Sequence, residues 1–235
     1  MTNTLPSPTT GTHRSAFDIH KAQRRRREGV RVKYAVEAIG TFFLVTTIGA
    51  TAHTGSPLAP LAIGAVLMAM IYAGGHVSGA HYNPAVTLAV LVRGRITVRD
   101  AIGYCGAQLA GGLGAAAVIT AGLPHTPSGP LHIGPAAIVA ELLVTFALCY
   151  VVLNVATSKD NTDSDFYGLA IGFTVLAGAI AVGGISGGAF NPAVVLAGLA
   201  MGQFGGSAVW LYLPVQLLAG AAAGAAFRAL NLGDK

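Results

Sequence analysis

The sequence predicts an all-α membrane protein with six transmembrane helices and two re-entrant half-helices, arranged as an inverted tandem repeat. Three observations support this fold class. The 235-residue chain is 53% hydrophobic and only 10% charged, with 32 glycines, which is too apolar for an ordinary soluble domain. It contains six apolar runs of membrane-span length. It also carries two copies of one short motif, 108 residues apart (191 − 83).

The six apolar runs are the predicted membrane helices, each about 18 to 21 residues long. No cleavable signal peptide is expected before them, because the first 33 residues are polar and the first apolar run has the length of a span. A lipid bilayer is therefore the expected environment. The runs lie near 34–52, 58–76, 101–121, 135–154, 167–184 and 207–227.

The basic residues predict the orientation of the chain. All 14 Lys and Arg residues fall in segments on one side of a six-span chain, eight of them before the first span. The positive-inside rule places that side and both termini in the cytoplasm, so the expected location is the cell membrane. The net charge of +5 is therefore attributed to topology and not to nucleic-acid binding.

The two halves of the chain are copies of each other. The sequence "LAIG" at Leu61–Gly64 recurs at Leu169–Gly172, and Tyr104 and Gln108 recur as Tyr212 and Gln216. Each half holds three spans, an odd number, so the second copy enters the membrane from the opposite face. The predicted segments are a disordered basic N-terminal segment (1–33), the first repeat (34–121), an extracytoplasmic connector (122–134), the second repeat (135–229) and a cytoplasmic tail (230–235).

The duplicated motif is a helix start placed inside the membrane. "SGAHYNPAV" at Ser78–Val86 matches "SGGAFNPAV" at Ser186–Val194. Asn is a preferred N-cap residue and Pro is favoured at the first helical position, so each motif begins a helix. These helices, predicted at about 84–92 and 192–201, are too short to span the membrane.

Two half-helices that enter from opposite faces meet at mid-membrane. Each helix N-terminus carries about half a positive charge, which disfavours cations and protons there. The side-chain amides donate hydrogen bonds to neutral oxygen or nitrogen atoms. The motifs therefore predict a pathway for neutral molecules, centred on Asn83, Pro84, Ala85, Asn191, Pro192 and Ala193.

These features resemble the aquaporin (major intrinsic protein) family, with six spans, two NPA motifs and a Glu-x-x-x-Thr-Phe sequence in the first span of each half, at Glu37 and Glu141. The resemblance covers about 34–229. It implies a right-handed bundle that assembles as a homotetramer, with one pore per subunit for water or small neutral solutes. It also implies that Glu37 and Glu141 accept hydrogen bonds from the re-entrant loops. His76 resembles the family's pore histidine, whereas His81 is as consistent with a packing role.

The chain departs from the family pattern directly after the second motif, where Val194 replaces the usual Arg. Spacing from the two Asn residues assigns the other positions of the predicted filter to Ile63, Ala179 and Gly188. Because these side chains are small or apolar, the filter is expected to be wide, admitting glycerol, urea, ammonia or hydrogen peroxide. Apolar walls also oppose wetting, so low water conductance is compatible with this filter.

Two other functions stay open. Inverted repeats with broken helices also build proton- or ion-coupled secondary transporters, for which Glu37 and Glu141 are the acidic residues inside the predicted spans. The second open function is that of a closed structural membrane protein whose constriction never wets. Catalysis, a cofactor and a metal are not expected. No span pairs a nucleophile with a base, and Cys105 and Cys149 lack partners at ligand spacing.

Overall fold

The chain folds into a helical bundle. A computed structural model describes residues 16–123, 133–161 and 165–234. Eight α-helices and one 3₁₀ turn, Lys159–Asn161, follow one another within these ranges. The helices are α1 (Ala16–Thr54), α2 (Ala59–Ser78), α3 (Pro84–Arg93), α4 (Val98–Gly122), α5 (Pro135–Ala156), α6 (Tyr167–Ser186), α7 (Pro192–Ala200) and α8 (Gly206–Leu230).

Six of these helices are long and apolar enough to cross a membrane. They are α2, α4, α5, α6, α8 and the Gly29–Thr54 part of α1. With 10 and 9 residues, α3 and α7 are too short. At 1.5 Å per residue each extends about 15 Å, half of a hydrocarbon core of about 30 Å. The predicted fold class, six spans and two half-helices, is therefore confirmed.

The N-terminal segment differs from its prediction. Helix α1 begins at Ala16, so residues 16–33, predicted to be disordered, are helical. Seven of its 18 residues are Arg or Lys, which are good helix formers. The adjoining span supplies the helix nucleus, so the segment extends an existing helix and does not start a new one. Residues 1–15 and the connector residues 124–132 lie outside the described residues.

The two repeats meet at a pair of equivalent glycines, Gly64 in α2 and Gly172 in α6. A Cβ atom at Gly64 would lie 2.8 Å from the carbonyl oxygen of Gly172, and one at Gly172 would lie 2.6 Å from the carbonyl oxygen of Gly64. No larger residue fits this crossing, because the two backbones approach each other directly. Since the residues are 108 positions apart and their contact is reciprocal, the pseudo-two-fold axis passes between α2 and α6.

The half-helices pack inside the bundle in equivalent ways. Helix α3 contacts α4, α5 and α8, whereas α7 contacts α1, α4 and α8. Close approach again requires glycine, because a Cβ atom at Gly220 in α8 would collide with the carbonyl of Ala85 in α3. The N-terminal ends of α3 and α7 are thereby positioned at the centre of the molecule.

The residues after α8 fold back onto the bundle through Asp234. Its Oδ1 accepts hydrogen bonds from Nη2 of Arg93 at 2.6 Å and of Arg95 at 3.2 Å, and its Oδ2 accepts one from the backbone N–H of Lys159 at 2.9 Å. The side chains of Arg93 and Asp234 are only 1% and 2% exposed. Asp234 therefore connects the end of α3 with the α5–α6 loop. We call this side of the molecule, which carries Arg93, Arg95, Lys159 and Arg228, the basic face.

The charge of Asp234 is stabilised by its partners. Burial alone raises its pKa, but hydrogen bonds from the Lys159 backbone and the Ser158 hydroxyl, together with the Arg93 guanidinium, lower the pKa to about 2. The ordinary value is 3.8. A carboxyl whose pKa is lower in the folded state than in the unfolded state stabilises the fold at pH values above its ordinary pKa. This contribution is lost as the pH falls through the pKa of the folded state.

We expect the Asp234→Asn variant to unfold at a lower temperature than the wild type at pH 4 and above. The difference should shrink between pH 4 and pH 2, because the wild-type carboxyl is then protonated too. Thermal unfolding in detergent across this pH range measures it. Asp160→Asn, which removes an exposed carboxylate from the same loop, is the control. Equal unfolding temperatures for Asp234→Asn and wild type at pH 7 would contradict this role.

Candidate functional site

Each half-helix begins at an Asn-Pro pair. Asn83 and Asn191 have extended backbones, with φ of −157° and −158°. Their Oδ1 atoms accept hydrogen bonds from the backbone N–H groups of Ala85 at 2.8 Å and of Ala193 at 2.9 Å. The intervening Pro needs no partner because it has no N–H group. Both half-helices are therefore N-capped by the motif that predicted them.

The two Asn side chains also connect the half-helices to each other. Nδ2 of Asn83 donates to the carbonyl of Phe190, and Nδ2 of Asn191 donates to the carbonyl of Tyr82, both at 2.9 Å. The two bonds are equivalent under the repeat. Each amide retains a second N–H group, and both Asn residues line a small cavity at the junction of the half-helices. Two helix N-termini thus face each other across that cavity.

A buried carboxylate organises each re-entrant loop. Glu37 and Glu141 are both 0% exposed, and each accepts four hydrogen bonds. Because these donors replace the water shell of the carboxylate, neither residue requires a Lys or Arg partner. The donors to Glu37, at 2.7 to 2.9 Å, are Ser78 Oγ, His81 N, Tyr82 N and Gln108 Nε2. The donors to Glu141, at 2.7 to 3.0 Å, are Ser186 Oγ, Ala189 N, Phe190 N and Gln216 Nε2.

These hydrogen bonds stabilise strained backbone. Ala80, Tyr82 and Phe190 have φ of 51°, 49° and 48°, in the left-handed region that residues with a side chain rarely adopt. Each such residue costs about 1–3 kcal/mol. Tyr82 and Phe190 donate their own N–H groups to the carboxylates. The loop geometry that orients both Asn residues therefore depends on Glu37 and Glu141.

A small cavity lies at the junction of the half-helices. Its volume is about 30 Å³, room for about two water molecules. The wall is mostly aliphatic, with side chains from α1, α2, α5 and α6, and its polar side chains are those of His81, Tyr82, Asn83 and Asn191. A second cavity of about 610 Å³ opens on the basic face. We call these the central cavity and the vestibule.

Comparisons with known proteins agree with this geometry. Residues 54–183, more than half of the chain, match the family model described as Major intrinsic protein. The chain is 35% identical over 218 residues to Aquaporin NIP1-3 of Oryza sativa subsp. japonica, which covers 86% of this chain and 75% of that relative. It is 40% identical over 196 residues to Glycerol uptake facilitator protein-like 6 of Lactiplantibacillus plantarum, covering 77% of this chain and 89% of that relative.

The chain belongs to the major intrinsic protein family. A solved structure shares its fold: the X-ray structure of the aquaglyceroporin from Plasmodium falciparum matches with a TM-score of 0.68 at 22% sequence identity. The match covers 86% of this chain and 95% of that one. The chain therefore shares its overall fold with a solved structure.

In this major intrinsic protein, three of the four predicted filter residues line the central cavity. They are Ile63, Gly188 and Val194. Ala179, the fourth, is half-buried and is not among the described residues that line it. The predicted wide passage is not observed in this cavity. The same cavity of about 30 Å³ is also lined by larger aliphatic side chains, among them Leu44 and Ile71.

The two histidines lie at different depths. His76 is exposed and lines the vestibule. His81 lines both the vestibule and the central cavity, so a packing role alone does not describe it. Its Nδ1 lies 3.1 Å from the Thr87 hydroxyl, and its backbone N–H donates to Glu37. In the sequence, the position of His81 two residues before Asn83 was the signal that it lies near the pathway.

Sequence reasoning assigned no role to four buried polar residues. Gln108 and Gln216 bind the carboxylates, as described above. The hydroxyls of Tyr104 and Tyr212 donate to the carbonyls of Ser78 and Ser186, at 2.6 and 2.9 Å. All four recur at the 108-residue spacing. The recurrence of a polar residue inside an apolar span of each half was therefore the sequence signal that this residue hydrogen-bonds to a re-entrant loop or to its carboxylate.

We expect Glu141→Gln to destabilise the protein and to reduce solute flux. The Gln amide replaces an acceptor by a donor, so the N–H of Ala189 or Phe190 loses its partner, at a cost of about 1–3 kcal/mol for each unpaired group. Thermal unfolding in detergent and glycerol uptake by proteoliposomes measure the two effects. Asp160→Asn is again the control. Wild-type stability and flux in Glu141→Gln would show that the carboxylate does not organise the loop.

Proposed function

We propose that the chain is a passive channel for water and small neutral solutes that excludes ions and protons. The observation that supports this function most strongly is the reciprocal hydrogen bonding of Asn83 and Asn191. It positions two half-helix N-termini at one narrow cavity with an aliphatic wall. A molecule that enters finds two amide N–H donors and no fixed negative charge among the described lining residues.

The electrostatics of this site favour neutral molecules. The two N-termini together contribute about one positive charge. An aliphatic wall does not replace the hydration shell of a cation, so a cation loses hydration and meets a repulsive field. Val194 adds no charge of its own. The half-helices therefore supply the cation barrier in this proposal.

The names of the similar proteins point to the same solutes. They include an aquaporin, a glycerol uptake facilitator-like protein and an aquaglyceroporin. We therefore propose water and glycerol as the first solutes to test, followed by urea, ammonia and hydrogen peroxide. The solute crosses unchanged, so the proposal includes no catalytic step.

A coupled transporter has less support. Coupling through a carboxylate requires that it faces the pathway, but Glu37 and Glu141 each accept four hydrogen bonds from the protein and line neither described cavity. A permanently closed protein would leave two N-capped half-helices and their amide donors without a function.

We further propose that the protein resides in the cell membrane with its basic face in the cytoplasm. The positive-inside rule supports this orientation. Large apolar side chains such as Trp210, Ile102 and Ile180 are 68% to 81% exposed, which fits contact with lipid or with neighbouring subunits. A homotetramer with one pore per subunit is the proposed assembly, and native mass spectrometry from detergent tests it.

The function is tested by paired permeability measurements on purified protein in liposomes. We expect water and glycerol flux above that of protein-free liposomes, with an unchanged proton leak. Stopped-flow light scattering measures the two fluxes, and an internal pH dye measures the leak. Flux that requires a proton gradient, or no neutral flux at all, would contradict the proposal.

The filter assignment predicts the effect of Val194→Arg. A long charged side chain at this position narrows the pore, so glycerol flux should fall at least about tenfold, equivalent to about 1.4 kcal/mol in barrier height. Water flux should be retained. Val194→Ile, which adds bulk without charge, is the matched control and should change glycerol flux less. Unchanged glycerol flux in Val194→Arg would rule out Val194 as a filter residue.

A further inference from the structure

The predicted filter lies on one side of the Asn pair. The internal repeat places an equivalent set of four residues on the other side. A shift of 108 residues relates Ile63 to Ile171 and Val194 to Val86. The same shift relates Ala179 to Ile71 and Gly188 to Ala80. We call Ile71, Ala80, Val86 and Ile171 the second ring.

All four residues of the second ring line the central cavity. They are also buried, with exposures of 2% to 6%. The predicted filter contributes three residues to the same cavity, since Ala179 does not line it. The second ring is therefore the more complete of the two sets around the pathway.

The second ring is also the bulkier set. Two of its positions carry the same residue as the filter, Ile in one case and Val in the other. The other two carry a larger residue, because Ile71 stands where the filter has Ala179, and Ala80 stands where it has Gly188. Every difference between the two sets thus narrows the second ring.

The position of the second ring makes it unavoidable for a solute. Ile71 and Ile171 line both the central cavity and the vestibule, together with His81 and Val152. A solute that moves between the two cavities must pass between these side chains. The backbone contact of Gly64 with Gly172 prevents α2 and α6 from approaching more closely. At this helix separation, the width of the passage depends on the side chains of the ring.

We propose that the second ring, and not the predicted filter, sets the upper size limit for solutes, with Ile71 as the main determinant. This proposal rests on the proposed channel function. Because the ring side chains are aliphatic, they select by cross-section and offer no hydrogen bond to compensate a wider polar solute for lost water. Urea should pass more readily than glycerol, and glycerol more readily than erythritol.

The test compares Ile71→Ala with wild type in proteoliposomes. Ile71→Ala gives the second ring the residue that the filter already has at the equivalent position. We expect the ratio of glycerol to urea permeability to rise at least fivefold, and erythritol uptake to exceed that of wild type. Ala179→Gly, which enlarges the filter instead, is the matched control and should leave the ratio unchanged. Ile71→Val removes one carbon while keeping the branched shape, so it should give a smaller rise.

The possible results separate the two proposals. An unchanged ratio in both Ile71 variants, with water flux showing that the channel is folded, would overturn the role of the second ring while leaving the channel function intact. A rise in Ala179→Gly alone would assign the size limit to the filter. If wild-type liposomes show no flux of water, urea or glycerol, the channel function itself fails, and the size limit fails with it.

Discussion

The hydrogen bonds to Glu37 and Glu141 are the interaction on which the rest of the structure depends. Irregular backbone at membrane depth needs partners for its polar groups, because lipid offers none. Each carboxylate accepts four hydrogen bonds, two of them from consecutive backbone N–H groups of a re-entrant loop. Those bonds stabilise the left-handed residues Tyr82 and Phe190, which directly precede the two Asn residues. The carboxylates thus act on the pathway without lining it.

The reciprocal arrangement of the two halves explains how neutral and charged solutes are separated. Because Asn83 and Asn191 each bind the loop of the opposite half, neither half-helix is positioned without the other. Their N-termini face one cavity, so their partial charges add. Side chains around that cavity then determine which neutral solutes fit. Charge selection and size selection therefore reside in different parts of the same repeat.

The sequence predicts the spans and half-helices well, because apolar length and Asn-Pro caps are local signals. The 108-residue spacing also identifies which residues are equivalent. It does not show which of them approach the pathway, as Ala179 illustrates. Nor does it show that Leu44 and Ile71 line the same cavity as the small filter residues, since this depends on side-chain packing from several helices. The helix at residues 16–33 was missed because its charge content resembles that of a disordered tail.

The equilibrium distribution of labelled glycerol in proteoliposomes is the most direct test of passive passage. The vesicles carry an imposed pH gradient and a potassium diffusion potential, and the glycerol concentration is measured inside and outside once it is constant. A passive pathway that excludes charge predicts equal concentrations under every gradient. Accumulation of glycerol on one side, varying with the pH gradient or the potential, would contradict the account.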